Sequence, residues 1–179
     1  QVETRVLDID ADLEATLETP VDLVTCSALL DLVSETWMAR LVAVLVERQL
    51  PFYAALTYDG TVVMSPSDPL DAAITEAVNQ HQHLDKGFGP SLGPDAPLVA
   101  IELFRKAGFS LESGRSDWVL EPDEQALQAA LVGGWIEAAR DTGLVSPADI
   151  GQWETARLAA IADGALTIRV GHIDLLARP

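Results

Sequence analysis

The sequence predicts an α/β fold: a mostly parallel β-sheet with helices on both faces and an antiparallel C-terminal hairpin at one edge. Three observations lead there. Strand-like and helix-like segments alternate through residues 2–57, the signature of βαβ units whose parallel strands are covered by helices. The second half is richer in helical patterns opened by Asp-Pro or Ser-Pro. Two late stretches, 109–120 and 166–177, read as the arms of a long hairpin.

Taken in order, residues 2–7 (VETRVL) read as a first strand and 11–19 as a short acidic helix broken by Pro20. Residues 21–26 are an apolar run of buried-strand type. Ser34 is placed as an N-cap, with Glu35 at the positive helix end. Trp37, Leu41, Val44, Leu45 and Arg48 then share one helical face, apolar until Arg48. Pro51 ends that helix, and 52–57 is a third strand. Asp68, Pro69 and Asp71 occupy N-cap, N1 and N3 of a helix that buries Leu70, Ala73, Ile74, Ala77 and Val78. A Gly/Pro-rich loop spans 87–94, and a helix over 97–107 ends at Gly108. Residues 109–120 form a strand or strand pair around Gly114. A helix over 123–141 buries Leu127, Leu131, Gly134, Trp135 and Ala138. Ser146-Pro147 opens another, burying Ile150, Trp153, Leu158 and Ile161. With no repeat and no linker, residues 1–179 form a single α/β domain.

Charge and composition narrow the partners. With 28 acidic against 11 basic residues the net charge is -17, so nucleic acid and anionic membrane surfaces are disfavoured by repulsion. A lone cysteine excludes a disulfide framework and a Cys-rich zinc site. The longest apolar runs fall far short of the ~20 residues that cross a bilayer. The expected setting is cytoplasmic, with a small-molecule substrate, no metal, and a chain open to homo-oligomerisation.

Candidate sites follow from topology. In open α/β sheets ligands bind at the carboxyl ends of the strands, where Asp8-Ile9, Cys26-Ser27-Ala28-Leu29 and Thr57-Tyr58-Asp59-Gly60 meet. The same short polar residues also serve as turn and cap residues, and the pattern alone leaves both readings open. A second candidate is the stretch from Asn79 to Pro90, with His81, His83, Asp85 and Lys86. His81 continues an apolar stripe, whereas His83 points elsewhere, so an i,i+2 pair does not converge on one metal. The segment reads either as a satisfied helix end or as a lid carrying substrate contacts. It is no phosphate loop, because it follows a helix and contains Pro90. Cys26 reads as a buried thiol rather than a nucleophile, Ser27 has no Gly-x-Ser-x-Gly context, and His172 reads as a structural histidine in a strand.

These residues carry a resemblance. Residues 22–34 (DLVTCSALLDLVS), 56–60 (LTYDG), the 81–94 loop and Val170-Gly171-His172 resemble the later part of a class I S-adenosylmethionine (SAM)-dependent methyltransferase, closest to a bacterial subfamily of undefined substrate. The resemblance spans essentially the whole chain. Its strand-helix pattern is general to the superfamily, and the His-Gln…Asp-Lys-Gly-Phe-Gly-Pro stretch is the more particular part. It implies a partial Rossmann-like methyltransferase sheet. Asp8 would hydrogen-bond the adenine amino group, Ile9 flank its ring, and Cys26, Ser27, Ala28 and Leu29 lie along the cofactor. Tyr58 and the His81–Lys86 loop, including His83 and Asp85, would face the methyl acceptor, with His81 or Tyr58 as base.

One departure stands against this. The family binds SAM through a Gly-rich turn after its first strand and an acidic residue ending its second. Neither is present, so the chain is expected to begin at the third strand, lacking two central strands of roughly 60 to 80 residues with their helices. The leading expectation is therefore methyl transfer by a longer enzyme of which this is the C-terminal part. The alternative is a non-catalytic interaction or oligomerisation module with a degenerate methyltransferase-like fold. Hydride transfer on a similar sheet is disfavoured, since it also needs a Gly-rich first turn.

Overall fold

The computed structural model describes residues 2–17 and 20–179. It is an α/β structure with a mixed, curled sheet. In chain order the elements are α1 (Leu13–Thr16), β1 (Val24–Ser27), α2 (Glu35–Arg48), β2 (Phe52–Ser65) and α3 (Asp71–Gln82). A 3-10 turn (Gly93–Asp95) and α4 (Ala96–Lys106) follow, then β3 (Ser110–Arg115), β4 (Trp118–Leu120), α5 (Gln125–Thr142), α6 (Pro147–Ala162) and β5 (Thr167–Arg178).

The strand order is β1-β2-β5-β3, with β4 also pairing β5. Among the described residues only β1 and β2 pair in parallel; β5 is antiparallel to β2, β3 and β4. The sheet is therefore mixed, which corrects the mostly parallel expectation. The stretches 109–120 and 166–177 do pair antiparallel and close one edge of the sheet, with β3 outermost and β5 joining it to β2. Residues 109–120 divide between β3 and β4 because a single long strand, β5, pairs with both in turn.

Residues 2–7 form no strand. They are exposed, with Val2 and Val6 at 90% and 104% exposure, and no strand among the described residues supplies them with ladder partners. Residues 18 and 19 of the helix expected over 11–19 lie outside the described residues. Its described part shortens to α1, which Arg40 of α2 ties down through Asp10 and Glu14.

Helix starts follow the capping chemistry. Ser34 Oγ accepts from the N–H of Trp37, as an N-cap should. At the next helix Asp68 Oδ1 accepts from Leu70 N–H and Asp71 Oδ2 accepts from Asp68 N–H. These two bonds close the turn before α3, and regular helix begins at Asp71 rather than at Pro69.

Two cores flank the curled sheet. One packs α2 and α4 on β1, the start of β2 and the end of β5 around Phe52, Phe104 and Leu45. The other packs α3, α5 and α6 on the far part of β2 and the start of β5, around Trp153, Ile74 and Ile168. Between them β2 loses register with β5 twice, at Ala54/Thr57 and Tyr58/Val62, and these bulges turn the strand from one core to the other.

Three helices keep most of their expected stripes, with Ile74, Ala77 and Val78 of α3, Trp135 and Ala138 of α5, and Ile150, Trp153 and Ile161 of α6 buried, and depart at single positions. In α6, Arg157 is buried and Leu158 is 43% exposed, because the guanidinium reaches Asp71 and the carbonyl of Pro66. In α5, Leu127 is 50% exposed and Gly134 is exposed, while Gln128 and Val132 face inward. The Gln128 amide donates to the carbonyls of Leu120, Glu121 and Leu166, ends of strand ladders that need a donor. In α3, Ala73 is exposed and Ile74, Ala77 and Val78 carry the contact. Among the described residues, no helix is long and apolar enough to cross a membrane.

Candidate functional site at the ends of the parallel strands

The β1/β2 pairing ends at Ser27 opposite Ala55, and Ala28 N–H continues to the carbonyl of Ala55. Just beyond, both chains enter the left-handed region: Ala28 at φ 49° and Leu56 at φ 54°. Each such non-glycine conformation costs ~1–3 kcal/mol and persists only where neighbours enforce it. Asp174 of β5 is the enforcer at Leu56. Its carboxylate accepts from Leu56 N–H, the Tyr53 hydroxyl and the Ser116 hydroxyl. Burial alone would raise this carboxyl's pKa, but those hydrogen bonds outweigh it and hold it below the usual range.

Above this break, groups from four segments converge. Tyr58 of β2 stands opposite His172 of β5, their rings 6.2 Å apart between centroids. The Trp118 ring of β4 lies 5.1 Å from His172. Asp31, from the turn after β1, is only 8% exposed, and its Oδ1 has no hydrogen-bond partner. Burial raises the Asp31 pKa above the ordinary carboxyl value. A buried carboxylate with an unmet oxygen is costly, and such cost is characteristic of ligand sites.

That cost gives a pH prediction. Because the folded pKa of Asp31 is raised, the native state binds more protons than the unfolded chain between the ordinary value of 3.8 and the raised one. Its contribution therefore weakens as pH rises through that window and stays weak at neutral pH. Asp31→Asn should be more stable than wild type at pH 7, with the gain vanishing below the unfolded pKa. Urea melts at the two pH values measure this; an equal effect at both would show that the carboxylate's charge is not what matters.

Beside these groups lies an apolar cleft of about 150 Å³, lined by Ile9, Cys26, Leu29, Trp37 and Phe52 among others. Ile9 is fixed there because its carbonyl accepts from Trp37 Nε1. Three of the residues assigned to the cofactor by resemblance thus share one cleft. Asp8, next to Ile9 in the chain, is exposed and does not line the cleft; its Oδ1 accepts from the N–H groups of Asp10 and Ala11. Ser27 and Ala28 are exposed at the strand end. Burial, with a smaller effect of Asp31, pushes the Cys26 thiol up to about 12, so at neutral pH it is a protonated, unreactive group.

The histidine loop lies differently. His81 Nδ1 is 3.4 Å from Lys86 Nζ, and its Nε2 faces Asp141 of α5 at 3.5 Å. His83 turns the other way, towards the Ser91 carbonyl and Asp95. The structure therefore does not bring the two imidazoles together. Asp85 Oδ1 accepts from Gly87 and Gly89 N–H and braces the loop from within. Beyond it the loop is zipped onto the turn after β1: Leu92 N–H to Val33, Gly93 N–H to Asp31 and the Ser91 hydroxyl to Leu32, all onto carbonyls. Phe88 meets the edge of Trp37 at 5.7 Å. The loop thus roofs the segment that carries Asp31. Tyr58 donates to Asn79 Oδ1 at 2.7 Å, and burial, then Asp59 and Asp31, raise its phenol pKa, so it acts as a donor.

Neither a family model nor a curated protein matches this chain.

Asp31 has no assigned role in the sequence, although an acidic residue inside the apolar run Leu29 to Val33 is a signal. Asn79 stands in the candidate stretch without a role of its own, and Trp118 reads from the sequence as a packing residue; the partners of both are distant in the chain.

Proposed function

We propose SAM-dependent methyl transfer to a small-molecule acceptor, in a protein whose first two strands and Gly-rich turn are supplied from outside residues 1–179. The observation that carries this reading is the pair of left-handed breaks at Ala28 and Leu56, side by side at the carboxyl ends of the one parallel strand pair. Ligands in open α/β sheets bind at this position, outside the carboxyl ends of the strands.

The sheet order supports a partial Rossmann-like layout. In the doubly wound order 3-2-1-4-5-6 the third strand is parted from the fourth by strands 2 and 1. If β1 and β2 are the fourth and fifth strands and residues 2–7 the third, β1 should present a free edge and 2–7 should lack a partner. Both are so among the described residues.

The residues present fit one end of the cofactor. The cleft of Ile9, Leu29 and Cys26 is apolar enough to take the faces of an adenine ring, and the exposed carboxylate of Asp8, next to Ile9 in the chain, is an acceptor for an exocyclic amine. Holders for the ribose and the amino-acid end are not among these residues. When bound, SAM would supply an electrophilic methyl group. The chain's own contribution is then positioning. The loop at 84–94 excludes water, Tyr58 and Asn79 fix the roof of the site, and Trp118 walls it. His83, Asp85 and Lys86 border the acceptor side in this reading. Of the two bases expected from the sequence, Tyr58 donates to Asn79, and His81 lies between Lys86 and Asp141.

Isothermal titration of the full-length protein with S-adenosylhomocysteine tests the proposal. A micromolar dissociation constant, about -8 kcal/mol, weakened at least tenfold by Leu29→Asp, is expected. No binding would reject it. The free edge of β1 would then favour the second reading, an interaction module that pairs through that edge.

A further inference from the structure

Resting on the methyl-transfer reading, we propose that His172, rather than His81 or Tyr58, accepts the proton released by the methyl acceptor, through its Nε2 atom.

The argument begins with the ring's orientation. His172 is buried in β5, and its Nδ1 lies 3.0 Å from the carbonyl oxygen of Val170. A carbonyl can only accept, so Nδ1 carries the hydrogen, and the neutral imidazole has its lone pair on Nε2. Among the described residues Nε2 has no hydrogen-bond partner, and it is not among the atoms sealed from water without one. A buried imidazole with one nitrogen anchored and the other left open is arranged as a general base.

Its surroundings are those of a site. The ring stands between Trp118 and Tyr58, two aromatic walls contributed by neighbouring strands. The backbone is fixed from the opposite side, since His172 N–H donates to Asp117 Oδ1 and the His172 carbonyl accepts from Ser116 N–H. Gly171 is required just before it: a Cβ there would lie 2.2 Å from Asp59 Oδ1 and 2.8 Å from Thr61 Cβ. A positive charge on His172 would favour the ionised forms of Asp31, with its unmet buried oxygen, and of Asp174. A proton arriving at Nε2 would thus be met by carboxylates already in place. The competing bases are placed worse. Tyr58 is a protonated donor to Asn79, and both nitrogens of His81 face charged side chains.

The step balances. The acceptor's O–H or N–H bond breaks and its electron pair forms the new bond to the methyl carbon. The pair of the breaking carbon–sulfur bond returns to sulfur, which becomes a neutral thioether, and the proton passes to Nε2.

Two measurements on the full-length protein test this. Diethyl pyrocarbonate at neutral pH, read by peptide mass spectrometry, should carbethoxylate His172; a His172 left unmodified while His83 reacts overturns the proposal without any variant having to fold. The second uses trideuteromethyl-SAM with a deproteinised small-molecule extract of the source cells as acceptor. His172→Asn, whose amide can still reach the Val170 carbonyl, should cut labelled product at least 100-fold. His81→Asn should retain most of it, and S-adenosylhomocysteine affinity should stay within twofold in both. Undiminished product from His172→Asn with cofactor binding intact overturns the inference alone. Absence of S-adenosylhomocysteine binding in the wild type brings down the methyl-transfer reading, and this inference with it.

Discussion

Asp71→Ala is expected to lower the unfolding free energy by about 3–5 kcal/mol, the cost of leaving a buried charge without its partner. Arg157 has 2% exposure, and its Nη2 meets both Asp71 oxygens at 2.5 and 2.6 Å. Its Nη1 donates to the Pro66 carbonyl at 2.7 Å, and the guanidinium lies 5.8 Å from the Trp153 ring centroid. Trp153 Nε1 donates to the same Asp71 oxygen at 2.8 Å. One carboxylate thus joins the start of α3, the middle of α6 and the turn leaving β2. Removing it strands a guanidinium whose Nε already has no partner. Replacing both residues, as in Asp71→Leu with Arg157→Leu, should recover part of the loss, since apolar pairs often substitute for buried ion pairs. Guanidinium melts of the three proteins measure this. A loss under about 1 kcal/mol for Asp71→Ala would mean that water reaches Arg157 and the pair behaves as a surface bridge.

The same pair marks the limit of what local pattern could reveal. Asp68-Pro69-Leu70-Asp71 was legible as a helix start, and in the structure Asp68 and Asp71 close the turn before α3. That Asp71 also holds Arg157 was not legible, because a charge on an apolar stripe reads as a reason to rotate the stripe away from it. The sheet shows the same division. The segments of β1, β2 and β5 were visible from apolar runs. The pairing of 109–120 with β5 was legible as a hairpin, but that of β5 with β2 was not, because pairing between distant segments leaves no local periodicity. Residues 2–7 show the converse: a strand-like pattern that has no partner among the described residues. At the site, strand-end segments were legible from topology alone. The converging groups, Asp31, Trp118 and His172, come from separate parts of the chain and needed the fold to bring them together.

Gly60→Ala should be the second most damaging substitution, and its effect should reach the site. Gly60 sits at φ 82° in the second bulge of β2, a conformation that already penalises a side chain by ~1–2 kcal/mol. An added Cβ would also lie 2.7 Å from Pro94 Cβ, in the segment that follows the roofing loop. Overpacking of that kind costs ~1–3 kcal/mol, so a total of roughly 3 kcal/mol is expected. Gly143→Ala supplies the comparison: φ is 65°, but nothing lies within 4 Å of its Cβ, so only the conformational part should appear. The difference between the two isolates the contact with Pro94. Because the Gly60 carbonyl accepts from Asn79, which in turn accepts from Tyr58, a displaced strand should loosen both partners. Hydrogen exchange would then quicken at Leu92 and Gly93, whose amides close the loop over Asp31, in Gly60→Ala and not in Gly143→Ala. Equal exchange in the two variants would mean that the roof is held by its own hydrogen bonds to residues 31–33, independently of the bulge beneath it.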